Sequence, residues 1–165
     1  AGNRLSESPR ACTLNNFRKS VYKVLEDLAV QVVRDGEGAK KLITIEVRGA
    51  RSSVSAHKAA MAIANSPLVK TAISGEDANW GRVIMAIGKS GAFLDQSRVS
   101  VAMGGVVVAE HGARAERYDE VMVTEHLRGS EILIEVHLGV GRSKAKVWTC
   151  DLTHDYIRIN GEYRT

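Results

Sequence analysis

Hydrophobic and polar positions change period several times along the chain. Apolar residues recur at Phe17, Val21, Val24, Leu25, Leu28, Val32 and Val33, the spacing of an amphipathic helix. Asn15 or Asn16 stands where an N-cap belongs. Gly36 is expected to end this helix, because glycine tolerates the left-handed conformation required there. Leu42, Thr44 and Glu46 then alternate with Ile43, Ile45 and Val47, the period-2 pattern of a half-buried strand reaching Arg48. Residues 53–64 are alanine-rich and predict a helix, and Ser66-Pro67 reads as a cap followed by proline at the first helical position. A further helix is predicted over 80–89, closed by Gly88 and Gly91. Short strands follow over 99–103 and 106–109, around Gly104-Gly105. Residues 118–127 read as helical, and 132–138, 144–149 and 156–160 as strands. Residues 1–12 are polar and loop-like. With no repeat or low-complexity tract, the fold class is mixed α/β (α+β).

Composition narrows the functional classes. The 165 residues suit one domain, or one and a half, with room for a real core. An apolar share of 44% with 25% charged residues is that of a globular chain rather than a disordered one. No apolar run approaches the ~18 residues needed to span a bilayer, and the start is not signal-like. The first residue is Ala1 rather than Met, so the chain is expected to be trimmed, processed or partial.

Charge and metal-binding residues exclude more. The net charge of +4 is spread over dispersed residues such as Arg34, Lys40, Lys41, Arg48 and Arg51, near Asp35, Glu37 and Glu46. No basic run interleaved with aromatics marks a nucleic-acid surface. Cys12 and Cys150 lie at opposite ends and read as reduced, cytosolic-type thiols. His57, His111, His126, His137 and His154 form no paired spacing, so no metal site is expected.

Three segments imitate functional motifs. "AIGKSG" (86–91) suggests a phosphate-binding loop, but that loop needs a glycine five positions before Gly88, where Val83 stands. "GVGRSKAK" (139–146) lies between two strand patterns and reads as a hairpin turn. His154 sits beside Asp151 and Asp155. On a strand such neighbours would point to opposite faces, so a structural role is expected.

"DGEG" (35–38) is less easily dismissed. A plain turn needs one glycine and no acid, yet here Glu37 is flanked by two glycines. Glu37 could be a turn carboxylate paired with Lys40 or Lys41. It could also be a recognition group, with the glycines clearing space for close approach to a ligand. A carboxylate at a helix C-terminus opposes the helix dipole by roughly 0.3–1 kcal/mol, a local disadvantage found more often at functional positions. "EDANWGR" (76–82) is equally distinctive. Asp77 or Asn79 can cap the next helix and Trp80 can anchor it to the core, so its role is expected to be structural.

"VVRDGEGAKK" (32–41), "IANSPLVKTAISGEDANWGRVIMAIGKSG" (63–91) and "WTCDLTHDYIRINGEYRT" (148–165) together resemble the C-terminal, β-chain part of ornithine acetyltransferase, the bifunctional glutamate N-acetyltransferase of arginine biosynthesis. The likeness runs from about residue 17 onward, in the same order. It implies a layered sheet-and-helix architecture of the N-terminal-nucleophile kind, completed by other chain segments. Residues 1–40 would end the catalytic layered domain. Residues 41–165 would form a C-terminal α/β domain whose tail returns to the active site. Such enzymes cleave themselves before a threonine, which becomes the nucleophile, takes acetyl from N-acetylornithine and passes it to glutamate. The resemblance further implies a cytoplasmic hetero-oligomer with no cofactor, acetyl-CoA being a co-substrate in some members.

The family's nucleophilic threonine and its oxyanion-hole residues have no counterpart in this chain. Neither Thr13 nor Thr44 takes the nucleophile's place, so no catalytic residue is expected here. The expected partners are the α chain of the same precursor and the N-terminal part of the β chain. The alternative is a non-catalytic fragment that binds amino acids or serves assembly. Three residues match the family's substrate-binding positions: Glu37, Asn160 and Thr165. Read from the residues alone, Asn160-Gly161 is expected to form a turn. Otherwise the tail folds back after a strand and carries Thr165 to the site.

Overall fold

The computed structural model describes residues 11–163. Contacts divide the chain into two compact units, Ala1–Val32 and Val33–Thr165. Most of helix α1 (Ala11–Arg34) belongs to the first. Asn15 and Asn16 lie a full turn inside α1, so neither caps it. Thr165 lies outside the described residues.

The second unit contains one six-stranded sheet. In chain order come β1 (Leu42–Ala50), α2 (Ser53–Ala64), α3 (Pro67–Ser74), α4 (Trp80–Gly88), β2 (Ser100–Met103), β3 (Val106–Glu110), β4 (Ala113–Arg114), α5 (Glu120–Arg128), β5 (Glu131–His137), β6 (Ser143–Cys150) and α6 (His154–Glu162). The strand order is β4-β3-β2-β5-β1-β6. Only the β1–β5 pair is parallel.

The alternation in β1 sorts its side chains as the sequence predicts. Ile43, Ile45 and Val47 are fully buried, while Thr44, Glu46 and Arg48 turn to the other face. Register places Ile132, Ile134 and Val136 of β5 beside the buried set. These join Ala56, Ala59, Ala60 and Ile63 of α2 and Val123 and Leu127 of α5 in one core. Alanines on α2 let it sit close against β1 and β6. Burial of each large aliphatic side chain contributes about 1.5–3 kcal/mol.

Two helix N-caps fall where the sequence places them. Ser66 accepts from Val69 N ahead of Pro67, and Asn79 accepts from Arg82 N at the start of α4. Gly104 and Gly105 both have positive φ, +59° and +81°, as the two-residue β2–β3 turn demands.

Three expectations are corrected. Gly36 is not left-handed; Gly38 is, with φ +69°. The segment 139–142 is no hairpin turn, because β1 lies between β5 and β6. It crosses the end of β1, with Leu138 N donating to Arg48 O and Val140 N to Gly49 O. Residues 156–160 form part of helix α6 rather than a strand. Tyr156, Ile157 and Ile159 favour strands, but strand preference depends on a partner edge. The chain leaves the sheet at Asp151, and Asp155 in the first turn with Arg158 one turn later supports a helix.

Candidate functional site

The segment joining α1 to β1, residues 35–41, rests on the segment joining β6 to α6. Asp151 organises the contact. It is 4% exposed, and its Oδ1 accepts from both Lys40 N at 2.8 Å and Lys41 N at 2.9 Å. Its own N–H donates to Lys41 O, while buried Oδ2 has no partner among the described residues. Two residues on, the buried Thr153 hydroxyl donates to Gly38 O at 2.7 Å. Gly38 must be glycine for two reasons. Its φ is left-handed, and a Cβ there would lie 2.5 Å from Tyr156 N. The space this glycine keeps clear is therefore filled by the first turn of α6, which corrects the expectation that it opens room for a ligand.

The lysines do not pair with Glu37. Lys40 Nζ lies 3.0 Å from Asp155, whose carboxyl the lysine hydrogen bond holds below the usual carboxylate range. Lys41 Nζ is 3.4 Å from Glu76 and donates to Leu127 O. Glu37 is exposed and accepts instead from Asn160 Nδ2, 2.8 Å from its Oε2. The same Nδ2 donates to Tyr156 O at 2.9 Å, one turn back along α6. Both partners are acceptors, which identifies the nitrogen end of the amide. Oε1 of Glu37 and Oδ1 of Asn160 have no hydrogen bond among the described residues.

Two of the three sequence-predicted residues are thus brought together from opposite ends of the chain. The pair offers two acceptors and no positive charge, an arrangement suited to a cationic nitrogen. A cavity of about 530 Å³ is lined by Lys40, Lys41, Glu76, Asp151, His154 and Ile157. Glu37 and Asn160 are not among its lining residues. His154, expected on a strand, opens α6 and faces this cavity.

The "EDANWGR" segment is structural in the expected way. Asn79 caps α4 and donates to Asp77, and Trp80 packs against the core. It also reaches the loop: Glu76, at φ +59°, holds Lys41 and lies 3.7 Å from Arg128. Sequence reading missed Asp151 and Thr153, which are separated from the loop by more than 100 residues. Neither carries a local sequence signal of this role, and only their burial in the fold marks them. Among the described residues no group of three or more His, Cys, Asp or Glu side chains could hold a metal ion. No described helix is long and apolar enough to cross a membrane.

The ArgJ family model matches residues 2–165. The chain is 54% identical over 166 residues to an arginine biosynthesis bifunctional protein ArgJ of Gluconobacter oxydans, covering 98% of this chain and 39% of that protein. It is 52% identical over 165 residues to the protein of the same name in Zymomonas mobilis, covering 100% and 40%. The crystal structure of arginine biosynthesis bifunctional protein ArgJ from Bacillus halodurans superposes with a TM-score of 0.90 at 43% identity. That match covers 95% of this chain and 74% of the other. The chain spans about two fifths of the length of the curated relatives it matches. On this agreement of sequence and structure, the chain belongs to the ArgJ family.

Proposed function

We propose that this chain supplies part of the amino-acid site of an acetyltransferase of arginine biosynthesis. The enzyme moves acetyl from N-acetylornithine to glutamate, yielding ornithine and N-acetylglutamate. The nucleophile is a threonine on a segment that this chain does not contain. Its hydroxyl oxygen attacks the acetyl carbonyl, the amide C–N bond breaks, and the departing ornithine nitrogen takes up a proton. The glutamate amine then attacks the acetyl-threonine ester, whose C–O bond breaks as the threonine regains its proton. The oxyanion hole comes from the α chain, the assembly is a hetero-oligomer in the cytoplasm, and acetyl-CoA serves as an additional donor in some members.

The contribution of this chain is recognition. N-acetylornithine brings a side-chain ammonium and glutamate an α-ammonium, each a positive nitrogen that a carboxylate recognises. The observation that carries the proposal is the Glu37–Asn160 hydrogen bond of 2.8 Å, with one acceptor atom left over on each side chain. Asn160 fixes the carboxylate so that its second oxygen is ready for the ligand, and a charge-assisted hydrogen bond of this kind is worth about 1.5–3 kcal/mol. Thr165 is the third contact in this reading. The test is to incubate the chain together with its companion segments with N-acetylornithine and glutamate, following both products. Equal appearance of ornithine and N-acetylglutamate, weakened by Glu37→Gln through KM, is expected. No turnover would reduce the chain to a binding or assembly fragment. Acetate released in step with ornithine would make it a hydrolase.

A further inference from the structure

We propose that Thr153 is a positioning residue for the Glu37–Asn160 pair, acting through the carbonyl of Gly38. This inference rests on the reading of Glu37 and Asn160 as the amino-acid site.

Thr153 occupies the N-cap of α6 with extended backbone, φ −105° and ψ 170°. A threonine there ordinarily accepts a hydrogen bond from an N–H of the first turn. Every other α-helix for which a capping residue is described has such a bond, from Ser52, Ser66, Asn79 or Asp119. In α6 it is missing. The Thr153 hydroxyl is turned instead toward the loop, 2.7 Å from Gly38 O. Between a hydroxyl and a carbonyl the only available proton is the hydroxyl's, so Thr153 donates. It is 7% exposed, so bulk water does not replace this contact at little cost.

Geometry says what the diverted hydroxyl accomplishes. Gly38 is covalently next to Glu37, and its backbone is already pressed on the first turn of α6, with a built Cβ only 2.5 Å from Tyr156 N. Thr153 fastens that contact at the N-terminal end of α6. Asn160, toward the other end of the same helix, reaches Glu37 at 2.8 Å. The helix thus spans two fixed points on one loop, and the bond at Gly38 sets the register in which the Glu37 carboxylate meets the Asn160 amide. Asp151, holding Lys40 N and Lys41 N, secures the far side of the loop. A helix that forgoes its own cap while tying down the neighbour of a recognition carboxylate breaks a local rule, as expected where function is served.

The experiment uses the complete enzyme, this chain with its companion segments. KM and kcat for N-acetylornithine and the melting temperature are measured for wild type, Thr153→Val, Thr153→Ser, Asn160→Ala, Glu37→Gln and the Thr153→Val/Asn160→Ala double variant. Valine keeps the shape and removes the hydroxyl; serine restores it. Thr153→Val should raise KM about tenfold with kcat nearly unchanged, and Thr153→Ser should recover most of the loss. In the double variant the two KM effects should be less than additive, because both act on the placement of one carboxylate. Three results would overturn the proposal: an unchanged KM in Thr153→Val, a lower melting temperature with no KM effect, or full additivity in the double variant. If Thr153→Val fails to assemble, Thr153→Ser with a KM as poor as that of Asn160→Ala overturns it, and a wild-type KM there supports it. An unchanged KM in Glu37→Gln removes the site reading and this proposal together. A raised KM in Glu37→Gln with a normal one in Thr153→Val removes only the positioning role.

Discussion

Asn160 follows Glu37 by 123 residues, yet its amide nitrogen bonds the Glu37 carboxylate and the carbonyl of Tyr156, one turn back, at nearly equal distances of 2.8 and 2.9 Å. The helix therefore holds the amide, and the amide holds the carboxylate. Replacing Asn160 by alanine frees Glu37 to rotate without removing any buried group. Alanine also favours the helix more than asparagine does. If the pair recognises the amino-acid substrates as proposed, Asn160→Ala should raise their KM in the complete enzyme about three- to tenfold, the worth of one ordinary hydrogen bond. The melting temperature should move by no more than about 2 °C. A calorimetric scan beside steady-state kinetics checks both.

Gly38 and Gly91 share φ +69°, but their surroundings differ. Nothing lies within 4 Å of a Cβ built on Gly91, whereas one on Gly38 would meet the α6 backbone at 2.5 Å. Gly91→Ala should show the cost of backbone conformation alone, about 1–2 kcal/mol. Gly38→Ala adds displacement of α6 and should cost at least about 2 kcal/mol more, with a further drop in melting temperature of roughly 4–8 °C. Equal effects of the two substitutions would mean that α6 yields freely.

These residues also mark what was legible in the sequence. The core of β1 could be read because the alternation of Ile43, Ile45 and Val47 is a local consequence of which face is buried. Ser66 and Asn79 could be read as caps because their partners are three residues away. Residues 156–160 could not, since strand-forming side chains there meet no partner strand and the helix depends on Asp155, Arg158 and a loop from the other end of the chain. The β5–β6 connection misled for a related reason: adjacency in sequence suggests a hairpin, and only pairing with β1 separates the two strands. Glu37 and Asn160 were marked by family resemblance. Asp151 and Thr153 act entirely through contacts spanning more than 100 residues.

Asp151 is a buried carboxylate whose one oxygen serves two backbone donors. Asp151→Ala leaves the N–H groups of Lys40 and Lys41 without that acceptor, and each orphaned donor costs about 1–3 kcal/mol. Partial hydration reduces the sum, so a loss of about 2–4 kcal/mol is expected. Asp151→Asn keeps an acceptor in place and should lose less than half as much. Urea denaturation with unchanged m-values checks this, since a changed m-value would signal a different denatured state rather than a lost contact.

The Lys40–Asp155 pair ties the loop to the first turn of α6 and gives the region a pH dependence of definite sign. Hydrogen bonding to Lys40, its charge, and Arg158 at 3.4 Å hold the Asp155 carboxyl below its ordinary value of 3.8. A carboxyl whose folded-state pKa is depressed binds protons less readily than in the unfolded chain, so the unfolded state takes up protons first as pH falls. The pair's contribution is therefore complete well above pH 3.8 and disappears as pH drops through the lower folded-state value. Asp155→Asn has nothing to titrate. Its urea midpoint should fall less than that of wild type between pH 6 and pH 3, by an amount that shrinks as salt is raised, because the pair is solvent-exposed. Parallel acid limbs for the two proteins at low salt would show that Lys40 and Asp155 do not stabilise the junction of loop and helix.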